Sequence, residues 1–421
     1  MKQLIVAISA ILAIFAIVTP IKAQLSLQEC YNLGAKNYPL IKQRELIEKA
    51  RAFSVRNASL GYVPTFSVNG QLTYQADVTK VPSIPGVEAP FPTLSKDQYK
   101  VYGDVVAPLY DGGFIKRQKQ IHGVNAQVEQ QTLEVELYQI KERINQLYFG
   151  ILLVNGQLIL HEYLLEDVGL GLRKTNVAIA NGTALKSSGD VLEAELLKAR
   201  QAGIELNATR AGYIEMLELM INQPLDSTTI FETPTTTEFP GDVNRPELKL
   251  YQLQSSAIDL QYKMLNARLQ PRLSAFVQAG YGKPGLNMLD NKADSYYLTG
   301  VRFSWTLSGF YSRNNDRELL MISREKVTVQ RETFIFNNSY RSKQEEAEIL
   351  KLQQLAAADE QIITLRARVK QNSSVQLENG VIDSNDYLRE VNAENQARQS
   401  KIVHEIQLLL AQYSLKTTQG I

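Results

Sequence analysis

The chain has 421 residues and a formal net charge of +1, from 45 basic and 44 acidic residues. This balance provides no global basic field of the kind that nucleic-acid binding needs, so no nucleic-acid partner is expected. One cysteine cannot form an intramolecular disulfide, and three singly placed histidines exclude a Cys/His metal site on ligand count. No nucleophile, base and acid can be grouped from the sequence, so we expect neither catalysis nor a cofactor.

Residues 1–23 have the organisation of a secretory signal peptide. Lys2 provides the positive start, a continuous apolar run follows, and cleavage after Ala23 fits the pattern. The apolar run is shorter than the roughly 20 residues that a membrane-spanning helix needs. We therefore expect export with cleavage, and not an N-terminal membrane anchor.

Four short landmarks occur twice in the same order, and the two copies lie 207, 207, 197 and 198 residues apart. The pairs are Asn37 and Asn244, Pro64 and Pro271, Gly112 and Gly309, and Asn181 and Asn379. Such self-similarity indicates a tandem repeat. We predict a first repeat at 24–222 and a second at 246–421, joined by a linker at 223–245 that is rich in threonine and proline.

Each copy begins with a predicted helix and continues with two predicted strands, at about 62–76 and 98–110 and at about 271–282 and 296–308. Apolar and polar residues alternate in all four segments, which is the period of a strand with two different faces. A tilted strand of about ten residues can cross a bilayer. An ordinary soluble hairpin with one buried face would alternate in the same way, so alternation leaves both interpretations open.

Aromatic residues concentrate around these strands. They are Tyr62, Tyr74, Tyr99, Tyr102, Tyr281, Tyr296, Tyr297 and Trp305. Aromatic side chains are good strand formers in any sheet. Their position near the strand ends favours the aromatic girdle that membrane barrels place at the two lipid–water interfaces.

The period becomes helical after each second strand, with helices predicted at about 112–180 and 188–221 and at about 310–378 and 384–415. From Leu133 onwards, apolar residues recur at alternating steps of four and three, which is a heptad seam. At ~1.5 Å per residue the first outgoing helix would be on the order of 100 Å long. The predicted fold class is therefore mainly α with β: two long antiparallel helical hairpins and four strands.

Four strands cannot close a barrel, because known closed barrels start at eight strands and an open edge leaves unpaired amides in the bilayer. If the strands span a membrane, several copies of the chain must each contribute four. Closure alone leaves the number of copies open. Gly112, Gly113 and Gly309 stand where strands pass directly into helices, and glycine permits a backbone bend there without a side-chain penalty.

The duplicated order of these features resembles the TolC family of outer-membrane efflux channels. The features are the signal peptide, the N-x-P helix, the proline-led strand, the PLYDGG junction, the long helix, the tip glycine followed by D-x-L, and the returning helix. The resemblance covers the whole mature chain and implies a homotrimer with a shared trimeric β-barrel in the outer-membrane lipid of a Gram-negative bacterium. It also implies an α-helical periplasmic tunnel that docks to a periplasmic adaptor (membrane fusion protein) and an inner-membrane pump, for exit of small molecules.

In that family, acidic residues just after the tip glycine narrow the periplasmic entrance, and the matching positions are Asp190 and Asp386, with Asp383 nearby. Helix N-capping would explain the same residue types; both roles stay open for Asp190, and gating is favoured for Asp386. Some members have a second aspartate three residues further on, where this chain has Arg389 and, in the first copy, Glu193. We therefore expect a nearly neutral gate with weak cation preference and no strong block by divalent metals.

The resemblance also places adaptor docking at the hairpin tips, which match Gly182, Thr183, Gly380 and Val381. Glycine at these turns permits positive φ, so helix reversal alone would explain it. The first copy has two more residues than the second between its tip glycine and Asp190, so we expect the two tips to differ in shape.

Two other functions are compatible with parts of the sequence. A type I protein-secretion duct would share every feature above, because the sequence does not separate the cargoes. A secreted coiled-coil adhesin or structural fibre would explain the signal peptide and the helices, but it leaves the four alternating strands unexplained.

Overall fold

The computed structural model describes residues 24–79, 86, 92–226, 228–235 and 243–421. The predicted signal peptide lies outside the described residues, as do most of the proline-rich loop between the first two strands and part of the predicted linker. The helices are α1 (Leu27–Asn37), α2 (Gln43–Ser59), α3 (Phe114–Ala180), α4 (Lys186–Ile221), α5 (Pro246–Arg268), α6 (Gly309–Glu378) and α7 (Ser384–Gln419). The strands are β1 (Thr65–Tyr74), β2 (Asp97–Tyr110), β3 (Arg272–Lys283) and β4 (Asp294–Ser304). The predicted fold class, mainly α with four strands and two long helical hairpins, is confirmed.

The chain divides into two compact units. The first contains the described parts of Met1–Lys42, Leu133–Glu247 and Thr333–Ile421, and the second contains those of Gln43–Thr132 and Leu248–Glu332. Neither unit coincides with a sequence repeat, because each takes segments from both copies. The duplication is therefore a duplication of sequence and of hairpins, and not of separately folded domains.

The second unit contains a four-stranded antiparallel sheet in the order β1-β2-β3-β4. The central pair joins the two repeats, with Val105 of β2 opposite Val277 of β3. β1 and β4 are the edges, and among the described residues neither pairs with a further strand. The sheet thus exposes one row of unpaired backbone groups from each repeat.

The first unit has its core along the seam that the heptad spacing predicts. The buried seam residues of α3 include Leu133, Leu137, Ile140, Ile144, Ile151 and Val154. Glycines in this core leave space for large side chains. A Cβ on Gly156 would lie 2.9 Å from Ile402, and one on Gly34 would lie 2.7 Å from Ile144. α3 also contains a window with a mean hydropathy of 1.2, apolar enough for a membrane span. Burial in the core covers 39% of that window.

The repeated N-x-P landmark closes the two helical hairpins in equivalent ways. The Asn37 side chain donates to the carbonyl of Ile221 at 2.6 Å, at the end of α4. The backbone N–H of Asn244 donates to the carbonyl of Gln419 at 2.7 Å, at the end of α7. Each asparagine therefore satisfies one of the carbonyls that a helix leaves unpaired at its C-terminus.

The passage from β2 into α3 depends on Asp111, Gly112 and Gly113. The Asp111 carboxylate accepts hydrogen bonds from the backbone N–H groups of Gly113 (2.9 Å) and Ile115 (2.7 Å), which satisfies donors at the start of the helix. Gly112 and Gly113 have φ of 68° and 78°, a region that is costly for residues with a Cβ. A Cβ on Gly112 would also lie 2.4 Å from the Cβ of Gln270.

Gly309 does not make an equivalent turn. It is the first residue of α6, and its φ is not positive. A Cβ there would meet only the terminal Cδ2 of Leu269, at 2.9 Å. The conformational freedom of glycine is therefore not used at this junction, since Gly309 does not have a positive φ.

These two junctions predict opposite responses to the same substitution. We expect Gly112→Ala to lower the free energy of unfolding by roughly 2 kcal/mol, because it adds left-handed strain and a backbone-proximal clash. Gly309→Ala should change it by less than about 0.5 kcal/mol, since a leucine terminus can move aside and alanine favours the helix. Urea unfolding of the detergent-solubilised protein, followed by circular dichroism, measures both. Equal effects of the two substitutions would contradict this assignment.

Candidate membrane interface and helical tips

The sheet has one apolar and one polar face. Residues directly opposite each other on neighbouring strands share a face, so the register assigns every side chain to one side. The apolar face carries Phe66, Val68, Leu72, Tyr74, Tyr99, Val101, Val105, Ala107, Ala275, Val277, Ala279, Tyr281, Tyr297, Val301 and Phe303. The other face is mostly polar and carries Ser67, Asn69, Gln71, Thr73, Gln98, Lys100, Asp104, Ser274, Gln278 and Arg302, together with the apolar residues Val106, Phe276 and Leu298.

Large side chains on the apolar face are exposed. Leu72 is 81% exposed and Phe66 is 71% exposed, and Val68, Val301 and Phe303 are exposed as well. Monomeric soluble proteins rarely show such a continuous apolar surface. The interpretation as a soluble hairpin with a buried face therefore fails, and the face is suited to contact with lipid.

Tyrosines form a belt across the loop end of the apolar face. Tyr74, Tyr99, Tyr281 and Tyr297 provide one exposed side chain from each strand. Such a row fits the interfacial girdle that the sequence predicts. At the helix end, Trp305 is exposed and donates from Nε1 to the carbonyl of Leu269 at 3.0 Å.

Two of the predicted girdle residues lie elsewhere. Tyr102 and Tyr296 are on the polar face, on either side of Gly280. A Cβ on Gly280 would come within 2.5 Å of the Tyr102 Cβ. The girdle interpretation is therefore wrong for these two tyrosines, because the pleat alternates by single residues and both fall on the opposite parity.

The two helical hairpins turn through the same backbone arrangement at their tips. Residues 181–185 join α3 to α4 and residues 379–383 join α6 to α7. Gly182 and Gly380 have φ of 72° and 68°. The next N–H, of Thr183 or Val381, donates to the carbonyl five residues earlier at 2.9 Å. Both tips are Schellman motifs, in which left-handed glycine and this hydrogen bond end the helix.

The expected difference in tip shape is wrong. The two connections are equally long, so equivalent tip residues lie 198 positions apart. Asp386 therefore corresponds to Ser188, and Asp190 corresponds to Leu388. The apparent two-residue insertion came from matching the D-x-L patterns, whereas the helix-ending hydrogen bonds fix where the next helix begins.

The acidic tip residues have different environments. Asp383 is the N-cap of α7 and accepts from the backbone N–H groups of Asn385 (2.9 Å) and Asp386 (3.0 Å). Asp386 lies in the first turn and forms an ion pair with Arg389 at 3.4 Å. The cap position of α4 is Leu185, which makes no side-chain capping hydrogen bond. Asp383 thus has the capping role that the sequence left open, and Asp386 does not.

In the first copy, Asp190 and Glu193 are both exposed on α4. Neither is the N-cap of that helix, since its cap position is Leu185. N-capping therefore does not account for Asp190. The structure gives these two carboxylates no other assigned role.

A small hydrophobic cluster lies next to the tips and joins the two hairpins. It consists of Val168 on α3, Leu192 on α4, and Tyr387, Leu388 and Val391 on α7, all buried. No local sequence pattern indicated that residues of these three helices meet.

The packing of Tyr387 is the contact of this cluster that the sequence could have indicated. A Cβ on Gly171 would lie 2.6 Å from its ring, so a glycine in α3 makes room for it. The Tyr387 hydroxyl donates to the carbonyl of Asp167 at 3.2 Å. A glycine within an otherwise regular helical pattern was the available signal.

Four charged residues beside this cluster form an ion-pair network across three helices. The Lys370 ammonium lies 2.8 Å from Asp167 and 2.7 Å from Glu394, and Arg398 lies 2.6 Å from Glu394. The Glu394 side chain is only 4% exposed. The network therefore ties α3 of the first hairpin to α6 and α7 of the second.

The charges in this network shift one another's pKa. Burial by itself would raise the pKa of Glu394, but hydrogen bonds from Lys370 and Arg398 outweigh it and hold that pKa below its usual value. Burial lowers and the two carboxylates raise the pKa of Lys370, with a net increase. A lowered carboxylate pKa stabilises the folded state above the unfolded pKa, and this contribution is lost as pH falls through the folded value.

A sheet with an exposed apolar face, followed by paired long helices, is the fold of outer-membrane channels. No protein-family model and no curated protein matches the sequence. Solved structures match over nearly the whole chain. CusC, described with transmembrane channel formation, has a TM-score of 0.70 and 13% identity, over 94% of this chain and 92% of that chain.

The outer-membrane protein VceC from Vibrio cholerae has a TM-score of 0.67 and 12% identity, over 93% of this chain and 94% of that chain. The open state of the MtrE outer-membrane channel from Neisseria gonorrhoeae has a TM-score of 0.67 and 12% identity, over 94% of this chain and 88% of that chain. The resemblance that the duplicated landmarks indicate is thus confirmed at the level of fold.

The ion-pair network predicts a large difference between two lysines. We expect Lys370→Met to lower the free energy of unfolding by about 2 kcal/mol, because it leaves Asp167 and buried Glu394 without their shared cation. Lys198→Met removes an exposed partner of Glu195 and should cost less than about 0.5 kcal/mol. The measurement is urea unfolding at neutral pH. The gap between wild type and Lys370→Met should narrow in acid, as Glu394 becomes protonated; an equal loss for both lysine variants would argue against the network.

Proposed function

We propose that the protein is a TolC-family outer-membrane channel that gives small molecules an exit path across the periplasm and the outer membrane. One observation carries the proposal: the sheet exposes an apolar face, presents a polar face on its other side, and leaves the edges of β1 and β4 unpaired. A membrane barrel wall has these three properties, with lipid outside and water inside. The similarity in fold to solved outer-membrane channels supports it.

The unpaired edges supply the argument for assembly. Each unpaired amide or carbonyl in hydrocarbon costs several kcal/mol, so a spanning sheet must close. In a closed assembly, β4 of one copy pairs with β1 of the next. We propose a homotrimer, the assembly that the resemblance implies, with the helical hairpins forming the periplasmic tunnel.

In this proposal the hairpin tips are the contact points for a periplasmic adaptor (membrane fusion protein) coupled to an inner-membrane pump. Thr183 and Val381 follow the two tip glycines, and the Val381 side chain is 69% exposed. An exposed apolar side chain on a rigid Schellman turn suits a small protein contact. The equal backbone shape of the two tips supports an adaptor that contacts both in the same way.

The gate in this proposal is formed at the tips by Asp190, Glu193, Asp386 and Arg389. Asp383 is occupied as a helix cap and contributes mainly to tip geometry. The ion pair between Asp386 and Arg389 supports a ring that is close to neutral, with weak preference for cations. No catalytic step is part of the proposed function.

A type I protein-secretion duct is the alternative with the same architecture. A secreted coiled-coil fibre is less well supported, since it gives no role to the exposed apolar sheet face.

The mass of the unheated, detergent-solubilised protein tests the assembly. We expect three copies of the mature chain in the outer-membrane fraction, resistant to alkaline washing. Substituting Leu72→Asp and Val301→Asp on the apolar face should abolish membrane retention, because a charged group facing lipid is destabilising. Asn69→Asp, on the polar face, is the matched control and should be retained. A monomer that washes off membranes would refute the channel and favour the fibre.

The neutral gate is tested by changing Arg389. In planar bilayers we expect the wild-type pore to resist block by divalent metals. Arg389→Asp replaces one positive charge per copy with a negative one, so cation selectivity and divalent block should both increase. Lys49→Asp on α2 makes the same charge change away from the tips and should leave both unchanged. Strong cation selectivity of the wild type that Arg389→Asp does not alter would contradict this role.

A further inference from the structure

The polar face of the sheet carries an uneven distribution of charge along the strands. Lys100 and Asp294 lie toward the loop end, and Asp104 lies near the middle of the sheet. Toward the helix end the face has Arg272 on β3 and Arg302 on β4, at diagonal positions, with Ser274 opposite Arg302 and Ser304 opposite Arg272. The helix end of this face therefore has two cations in each copy and no carboxylate within the strands.

The two arginines are positioned by aromatic rings and not by acids. The Arg302 guanidinium lies over the Phe276 ring, 4.8 Å from its centroid, and that of Arg272 lies 5.3 Å from the Phe114 centroid. Such contacts hold a guanidinium in place. Among the described residues neither arginine forms an ion pair, and both are exposed. Their N–H donors remain available to a solute.

Nearby carboxylates do not cancel this charge. Asp104 is opposite Gln278 of β3, and Arg302 is opposite Ser274 of β3. The two levels therefore lie about 13 Å apart along β3. Asp111, which follows β2, accepts from two backbone N–H groups at the start of α3. Its charge is directed at the helix N-terminus.

We propose that Arg272 and Arg302, the arginine collar, form an anion-attracting ring inside the barrel where it meets the tunnel, and that they favour solutes bearing carboxylate, phosphate or sulfate groups. The inference rests on the proposed trimeric channel, which would place six guanidinium groups around one lumen. Guanidinium pairs well with such oxyanions through parallel N–H donors. A pore lined by one sign of charge concentrates counter-ions of the other.

Ion selectivity in planar bilayers tests the collar in the full-length protein. With a potassium chloride gradient, the collar should contribute a chloride preference to the reversal potential that offsets the weak cation preference of the gate. The Arg272→Gln/Arg302→Gln variant should lose that chloride preference. Asp104→Asn, which removes a negative charge from the same face, should increase it, and Lys49→Gln on α2 should leave it unchanged. Arg272→Lys/Arg302→Lys keeps the charge and should keep the preference, which separates an electrostatic role from a structural one.

Block by a polyanion provides a second readout. Inositol hexakisphosphate added on the barrel side should reduce the current, and the double glutamine variant should weaken its apparent affinity about tenfold. A conducting pore whose selectivity and block are both unaffected by that variant refutes the collar and leaves the channel standing. Protein that forms no pore refutes the proposed function, and the collar with it.

Discussion

The fold depends on the backbone hydrogen bonds that four strands cannot complete among themselves. Among the described residues, β1 and β4 each leave one row of backbone groups unpaired, beside an exposed face of leucine, valine and phenylalanine side chains. In water, the exposed apolar face is unfavourable. In hydrocarbon, the unpaired backbone groups at the two sheet edges are unfavourable. A single copy therefore has no environment that satisfies both. In the proposed channel, association of copies in a membrane would satisfy both.

Much of the sequence-based prediction came from hydrophobic periodicity and from the positions of proline and glycine. The change from alternation to heptads separated strands from helices. The alternating residues form β1, and the heptad residues form the buried seam of α3. The tips were harder, because D-x-L patterns suggested that Asp190 and Asp386 were equivalent when hydrogen bonding sets them two positions apart. The girdle prediction relied on the position of tyrosines near the strand ends and did not apply the alternation that puts Tyr102 on the other face. No local pattern showed that Lys370, Asp167 and Glu394 meet.

The repeat was read correctly as a repeat of hairpins, but its boundaries are not the boundaries of folding. Strands from both copies make one sheet, and helices from both copies make one core. The N-x-P landmarks are an example. Asn37 donates to the last carbonyl of α4 and Asn244 to the last carbonyl of α7, so each landmark caps the end of one hairpin. The duplication thus preserved the hydrogen bonds at the helix ends in each copy, whereas the sheet and the core are built from both copies.

The two tips share a backbone trace but differ at the helix cap position, which is Asp383 in the second tip and Leu185 in the first. A carboxylate accepts from the first amides of α7, whereas the first amides of α4 have no side-chain cap at Leu185. Amide protons in the opening turn of α4 should therefore exchange faster than those in α7, since fraying there breaks no cap. The two hairpins have the same backbone trace at their tips, but the returning helix of the first should fray more readily than that of the second.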